Sequence, residues 1–150
     1  AIASSGKEIG QKFQVGSSSQ ENSMTKARNH VLESIIKAAE PLSARQLCDK
    51  YKSEHDPATI YRSLHFLEEK GRIDSFILYC NAHGTERYYV LHRGEHRHWF
   101  HCERCHRFTD LGECRFAEIV SQISAEKGLL ITSHSFYAIG ICSECRQQGS

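Results

Sequence analysis

Apolar residues fall at helical spacing soon after Met24. Val31, Leu32, Ile35, Ile36 and Ala39 predict a first helix, which Pro41 closes. Ser43-Ala44-Arg45-Gln46 predicts a capping box, in which the serine hydroxyl accepts from the third backbone N–H while the glutamine reaches back. The helix so started carries Leu47 and Tyr51 on one side. Asp56-Pro57 predicts the start of a third helix, with Asp as N-cap and Pro at the first helical position, where no N–H is needed. Ile60, Leu64 and Leu67 recur at i, i+4 and i+7 and give it a buried face, and Gly71 suits its left-handed cap. The period then changes. Ile73 to Tyr79 and Arg87 to Leu91 are β-like runs joined by residues 80–85, which predicts a hairpin.

Three short helices followed by a hairpin is the order of a winged helix, with the second and third helices as helix-turn-helix and the hairpin as wing. The third helix keeps Thr59, Tyr61, Arg62, Ser63 and His65 off its apolar stripe. Arginine can bond guanine or a phosphate, and tyrosine and threonine can reach phosphates or thymine methyls. Such residues are also simply a solvated face on many helices, and three-helix units also bind proteins. A second unit begins near His92. His96 to His101 and Arg107 to Leu111 read as strands. Phe116, Ile119, Val120 and Ile123 mark an amphipathic helix ended by Gly128, and Leu129 to Ile141 is a long β-like run. The expected fold class is α/β in the α+β sense, with a winged-helix domain over residues 24–91 and a second domain over 92–150. With fewer than 60 residues the second unit has a thin core and calls for a metal or a partner chain. Residues 1–23, rich in Ser, Gly and Gln, are expected to be a disordered leader or an expression remnant. A natural tail that folds on a partner is the alternative.

Composition narrows the function. Hydrophobic residues make up 39% and charged residues 25%, as in an ordinary globular chain. No apolar run approaches about 18 residues, so no membrane partner is expected. No secretory signal is visible, and a cytoplasmic location is the expectation. A net charge of +1 means that nucleic-acid binding must rest on local basic clusters. Seven cysteines, an odd number without a signal peptide, point to reduced thiols or metal ligation and away from a disulfide framework.

Cys102-Glu103-Arg104-Cys105 and Cys142-Ser143-Glu144-Cys145 each turn two thiolates onto one ion. Together they make a closed four-thiolate site that Zn²⁺ fits best, with no open position for catalysis. A redox dithiol would occur once, in a βαβ setting. Of the remaining thiols, Cys48 reads as core, Cys80 falls in the hairpin turn and Cys114 stands isolated. Around the first pair crowd Asp74, His92, His96, His98, His101, His106, Asp110, Glu113, Glu118 and His134. Imidazoles and carboxylates suit Zn, Fe, Mn, Co or Ni, so a second, exchangeable metal site is expected. No H-E-x-x-H pattern occurs, and neither an enzyme nor a small organic substrate is expected.

At these residues the chain resembles the ferric uptake regulator superfamily of bacterial metal-responsive repressors, and most of all its zinc uptake regulator branch. The resemblance covers roughly residues 25–146. It rests on PLSARQLCDKY, PATIYRSLHFLEEKGRI, RYYVL, HRHWFHCERC and ITSHSFYAIGICSEC. It implies a homodimer with N-terminal winged helices and a C-terminal dimerisation domain, bound to palindromic double-stranded operator DNA when the regulatory metal is present. Cys102, Cys105, Cys142 and Cys145 match the structural zinc ligands. Asp74, His92 and Asp110 match a hinge-region sensing site of the zinc-type members, bridging wing and dimerisation domain. His96, His98 and His134 match a further site, with Glu118 one residue out of register from its usual carboxylate. Tyr61 and Arg62 match DNA-contacting positions, and Thr59 and Ser63 flank them. Trp99 and Arg97 stand where family members commonly carry histidines, three and five residues before Cys102. The expected function is a zinc-sensing repressor. The alternatives are an iron (Fe²⁺) or manganese (Mn²⁺) regulator of the same superfamily, or a zinc-stabilised interaction module without metal-dependent DNA binding.

Overall fold

The structure, a computed structural model, describes residues 23–149, so the expectation for residues 1–23 lies outside the described residues except at Ser23. Helix α1 (Lys26–Lys37) starts where the Thr25 hydroxyl accepts from the Arg28 N–H. It ends at Ala38, short of Pro41. Helix α2 (Ala44–Tyr51) carries both halves of its capping box, at 3.2 Å to the Ser43 hydroxyl and 2.8 Å to the Gln46 side chain. Helix α3 (Pro57–Glu69) starts on Asp56, whose carboxylate accepts from the Thr59 N–H at 2.7 Å. That hydrogen bond holds the Asp56 carboxyl below its usual range.

Two residues that showed no strand signal, Leu42 and Ser43, form strand β1. They pair with strand β3 (Gly84–Leu91), which pairs in turn with strand β2 (Ile73–Cys80), all antiparallel. The turn between β2 and β3 is shorter than expected, because both strands extend to residues 80 and 84. An Arg45–Glu86 ion pair of 3.2 Å ties α2 to the wing. Val31, Leu32, Ile35, Leu47, Ile60, Leu64, Leu67, Ile73 and Tyr89 close the core beneath the three helices.

In the second half, strand β4 (Arg97–Cys102) lies between strand β5 (Phe108–Glu113), antiparallel, and strand β6 (Tyr137–Gly140), parallel. Helix α4 (Ala117–Lys127) makes the crossover that a parallel partner requires, and Gly128 ends it in the left-handed region at φ 63°. The long β-like run from Leu129 to Ile141 is not one strand. Only Tyr137–Gly140 pairs, because the chain must first cross from α4 to the far side of β4. Helix α5 (Ser143–Gln148) follows. The amphipathic reading of α4 is only half realised, since none of its residues is buried within the single chain and Ile119 and Ile123 face outward.

The two halves meet at the wing. Leu78, Cys80 and Tyr88 of the hairpin are buried in a second small cluster with Phe76 and with Phe108 of β5. The Phe108 ring lies 4.8 Å from that of Tyr88 and 4.6 Å from that of His101. No helix among the described residues is long and apolar enough to cross a membrane.

Leu64, fully buried, is the tightest test of the winged-helix core. Leu64→Ala should lower stability by about 2–5 kcal/mol, read as a shift in urea midpoint.

Candidate metal centres and nucleic-acid interface

The two Cys-x-x-Cys segments converge. Cys102 ends β4, Cys105 follows in a turn, Cys142 is the N-cap of α5 and Cys145 lies within it. Their four sulfurs lie within 4.8 Å of one another. Cys105 and Cys142 stand 3.7 Å apart, too far for a disulfide, whereas thiolates about 2.3 Å from one tetrahedral ion are about 3.8 Å apart. The backbone N–H groups of Cys142 and Cys145 point at the sulfurs of Cys102 and Cys142. Burial alone would raise the Cys102 thiol, but backbone N–H groups of Cys105, Cys142 and Arg104 outweigh it and bring it down to about 6. Burial and the neighbouring thiols push Cys145 up to about 12. Four thiolates cannot share this space without a cation, and a tetrahedral dication fits the donor set. An Arg107–Glu144 ion pair and an Arg104 hydrogen bond to the Cys145 carbonyl at 2.8 Å close the two segments on each other.

A second cluster joins His96, His98, Cys114 and His134. His98 Nδ1 donates to the Phe136 carbonyl at 3.0 Å, which leaves the Nε2 lone pair facing the cluster. That nitrogen is buried and has no hydrogen-bond partner. Burial also keeps the His98 ring neutral by lowering its pKa. His134 Nε2 lies 2.9 Å from His96 Nε2 and 3.1 Å from Cys114 Sγ. One ring N–H cannot satisfy all of these atoms, and a metal can. A bulge helps to build the site. Between the pairs Arg97–Glu113 and Trp99–Asp110, β5 holds an extra residue. Gly112 there takes φ 84°, a left-handed conformation that favours glycine. Beyond it the strand ends and Cys114 meets His134. The pairing lies across α4, so no local spacing announced it, and Cys114 is the site residue that sequence reasoning missed. Glu118, expected here as a carboxylate ligand, is exposed in the first turn of α4 and lies outside the cluster.

The expected hinge site does not assemble. His92 Nδ1 lies 2.9 Å from Asp74, but the Asp110 carboxylate is held by Arg97 at 3.2 Å. The guanidinium at the position of a family histidine satisfies Asp110 with an ion pair, so Asp74, His92 and Asp110 do not converge as ligands. The cluster of His96, His98 and His134 instead opens on a cleft of about 480 Å³ between the two halves, lined also by Asp74, Phe76 and Asp110.

On α3, Tyr61 is 55% exposed, and Arg62 donates to the Thr59 hydroxyl at 3.2 Å. Both are exposed, away from the buried Ile60, Leu64 and Leu67 of the same helix. Ser63, expected with them, is a correction. It is 3% exposed and its hydroxyl donates to the Thr59 carbonyl at 2.8 Å, one turn back in the helix.

The family model described as Ferric uptake regulator family matches residues 20–139. No curated protein matches the chain. Among solved structures, the chain is similar to the Helicobacter pylori ferric uptake regulator Fur, described as having three functional metal binding sites. The identity is 20% over 84% of this chain and 83% of that one, with a TM-score of 0.64. It is similar to a zinc uptake regulator complexed with zinc and DNA, at 24% identity over 85% of each chain and a TM-score of 0.64. Holo XcZur is 26% identical over 83% of this chain and 86% of that one, with a TM-score of 0.58.

Burial holds His98 and His101 neutral, with pKa values below their ordinary 6.5. The unfolded chain therefore takes up protons at these rings before the native chain does. Their contribution is fully present above pH 6.5 and is lost as pH falls through the lowered native values. The urea midpoint of protein holding zinc at the four thiolates alone should decline as pH falls below about 6.5, and decline less steeply in His101→Gln.

Proposed function

Because this chain belongs to the ferric uptake regulator family, we propose that it is a zinc-responsive transcriptional repressor that binds a palindromic operator as a homodimer. Members of the family are metal-responsive transcription regulators and not enzymes. The observation that carries the zinc reading is the buried, unpartnered Nε2 of His98, aimed into a set of one thiol and three imidazoles. A soft thiolate with neutral imidazoles and no carboxylate suits tetrahedral zinc better than iron or manganese, which favour more oxygen ligands. Cys102, Cys105, Cys142 and Cys145 would hold a structural zinc.

The switch works through the linker. His96 stands between the end of β3 at Leu91 and the start of β4 at Arg97. Fixing His96 against His134 and Cys114 fixes that linker and the cleft beneath the winged helix. A state with His96 in place binds the metal better, and so the metal favours it. About 5.5 kcal/mol of differential binding would carry the equilibrium from 1:99 to 99:1. The Asp74–His92 hydrogen bond and the Arg97–Asp110 ion pair steady the hinge. They take over part of what the expected bridging metal would have done.

The uncovered side of α4, with Ile119 and Ile123, and the exposed Leu111, Leu129 and Leu130 supply the apolar surface for a second copy. The dimer would present two α3 helices to successive major grooves about 34 Å apart.

Arg62→Ala should weaken operator binding by about 1–3 kcal/mol without changing metal content. Fluorescence anisotropy on a palindromic AT-rich duplex reads it, and unchanged affinity rejects the role of α3. Cys114→Ala should abolish the zinc dependence of DNA binding and keep the four-thiolate zinc, by elemental analysis. Asp74→Ala should keep the zinc dependence. The reverse result would put the sensor at the hinge.

A further inference from the structure

Cys80, His83 and His106 belong to neither cluster above, yet their donor atoms lie within 4.8 Å of one another. Cys80 ends β2 and His83 closes the turn before β3, held by its backbone N–H on the Cys80 carbonyl at 3.3 Å. Cys80-Asn81-Ala82-His83 is thus a Cys-x-x-His turn at the tip of the wing. His106 comes from the other half of the protein, directly after Cys105. It adopts φ 61°, with its N–H on the Cys102 carbonyl at 2.9 Å, and this turn sends its ring back to the wing.

The distances match a metal more closely than they match hydrogen bonds. Cys80 Sγ stands 3.7 Å from His83 Nδ1 and 3.8 Å from His106 Nδ1. An ion about 2.3 Å from sulfur and about 2.05 Å from nitrogen, at the tetrahedral angle, separates those donors by about 3.6 Å. The two imidazoles approach edge to face, 4.7 Å between centroids. A second observation lies alongside. His101 is 1% exposed, neither of its ring nitrogens has a hydrogen-bond partner, and its ring is 5.6 Å from that of His106.

We propose that Cys80, His83 and His106 form a third metal site, for a thiophilic divalent ion of the zinc class, that fastens the tip of the wing to the dimerisation half. Cys80 gives up its thiol proton on binding, and the two neutral imidazoles supply Nδ1 lone pairs. The fourth position falls to water. Because its ligands come from both halves, the ion binds only while the wing is docked, and it favours that state by its whole affinity. The site is independent of the His96 cluster and does not rest on the sensor reading.

The test uses the full chain with zinc retained by the four thiolates, titrated with Co²⁺ and followed by its thiolate-to-cobalt charge-transfer band. His83 is exposed on a turn, so His83→Ala tests the site without disturbing the core. His83→Ala should weaken one Co²⁺ equivalent by at least about tenfold. In a Cys114→Ala background the charge-transfer band should remain, and adding Cys80→Ser should remove it. Metal should slow hydrogen exchange at residues 81–83 in the parent protein and not in His83→Ala. The proposal is overturned if His83→Ala binds Co²⁺ with unchanged stoichiometry and affinity, or if the band persists in the Cys80→Ser, Cys114→Ala chain. If Cys114→Ala alone leaves metal binding intact, the sensor assignment fails and this site stands.

Discussion

Among the described residues of the second half, only His98, His101, Cys102 and Cys145 are buried. That half has no apolar core of its own. Two of its buried side chains are thiols and two are imidazoles, and its other packing comes from the docked wing. Structural zinc binding is worth about 10–16 kcal/mol in small zinc domains, as much as the whole stability of an ordinary domain. An ion held by the four thiolates would therefore do here the work that leucines and valines do elsewhere. The apolar residues of this half, Ile119, Ile123 and Leu130 among them, face outward, which suits a surface shared between two chains and not an interior.

The first half is built in the opposite way. Its helices close over a conventional core of aliphatic side chains, and its helix starts are capped by local hydrogen bonds. The two halves share the hairpin of β2 and β3. Strand β2 puts Ile73 into the core under α3 and Leu78 and Cys80 into the cluster around Phe108. The core under α3 and the cluster around Phe108 are thus joined by continuous strands, β3 likewise placing Tyr89 in one and Tyr88 in the other.

This division explains which features could be read along the chain. The Ser43 capping box, the Asp56-Pro57 start and the left-handed Gly71 and Gly128 are written within four or five residues, and the structure has each of them. The paired Cys-x-x-Cys motifs were equally visible, because each pair is local and only the joining of the two is distant. Contacts between distant segments were not visible. Cys114 meets His134 across a helix, and Arg97 captures Asp110 across two strands. Ser63 turned inward because a serine can satisfy its hydroxyl on the preceding turn, which spacing alone does not reveal. Residues 129–136 carry strand-forming side chains but have no strand to pair with.

Strand β2 also acts as a lever. Its eight residues extend roughly 26 Å at about 3.3 Å each, from the docked wing tip to the foot of α3. A pivot of about 5° at the tip moves the other end by roughly 2 Å over such a span. A bidentate contact between arginine and guanine tolerates only a few tenths of an ångström before it weakens. In the proposed operator complex, small changes in the angle at which the wing rests on Phe108 would therefore be magnified into the difference between reading a base and missing it. On the proposed function, selectivity among operators would be set in part at the Phe108 ring, which belongs to the second half of the chain.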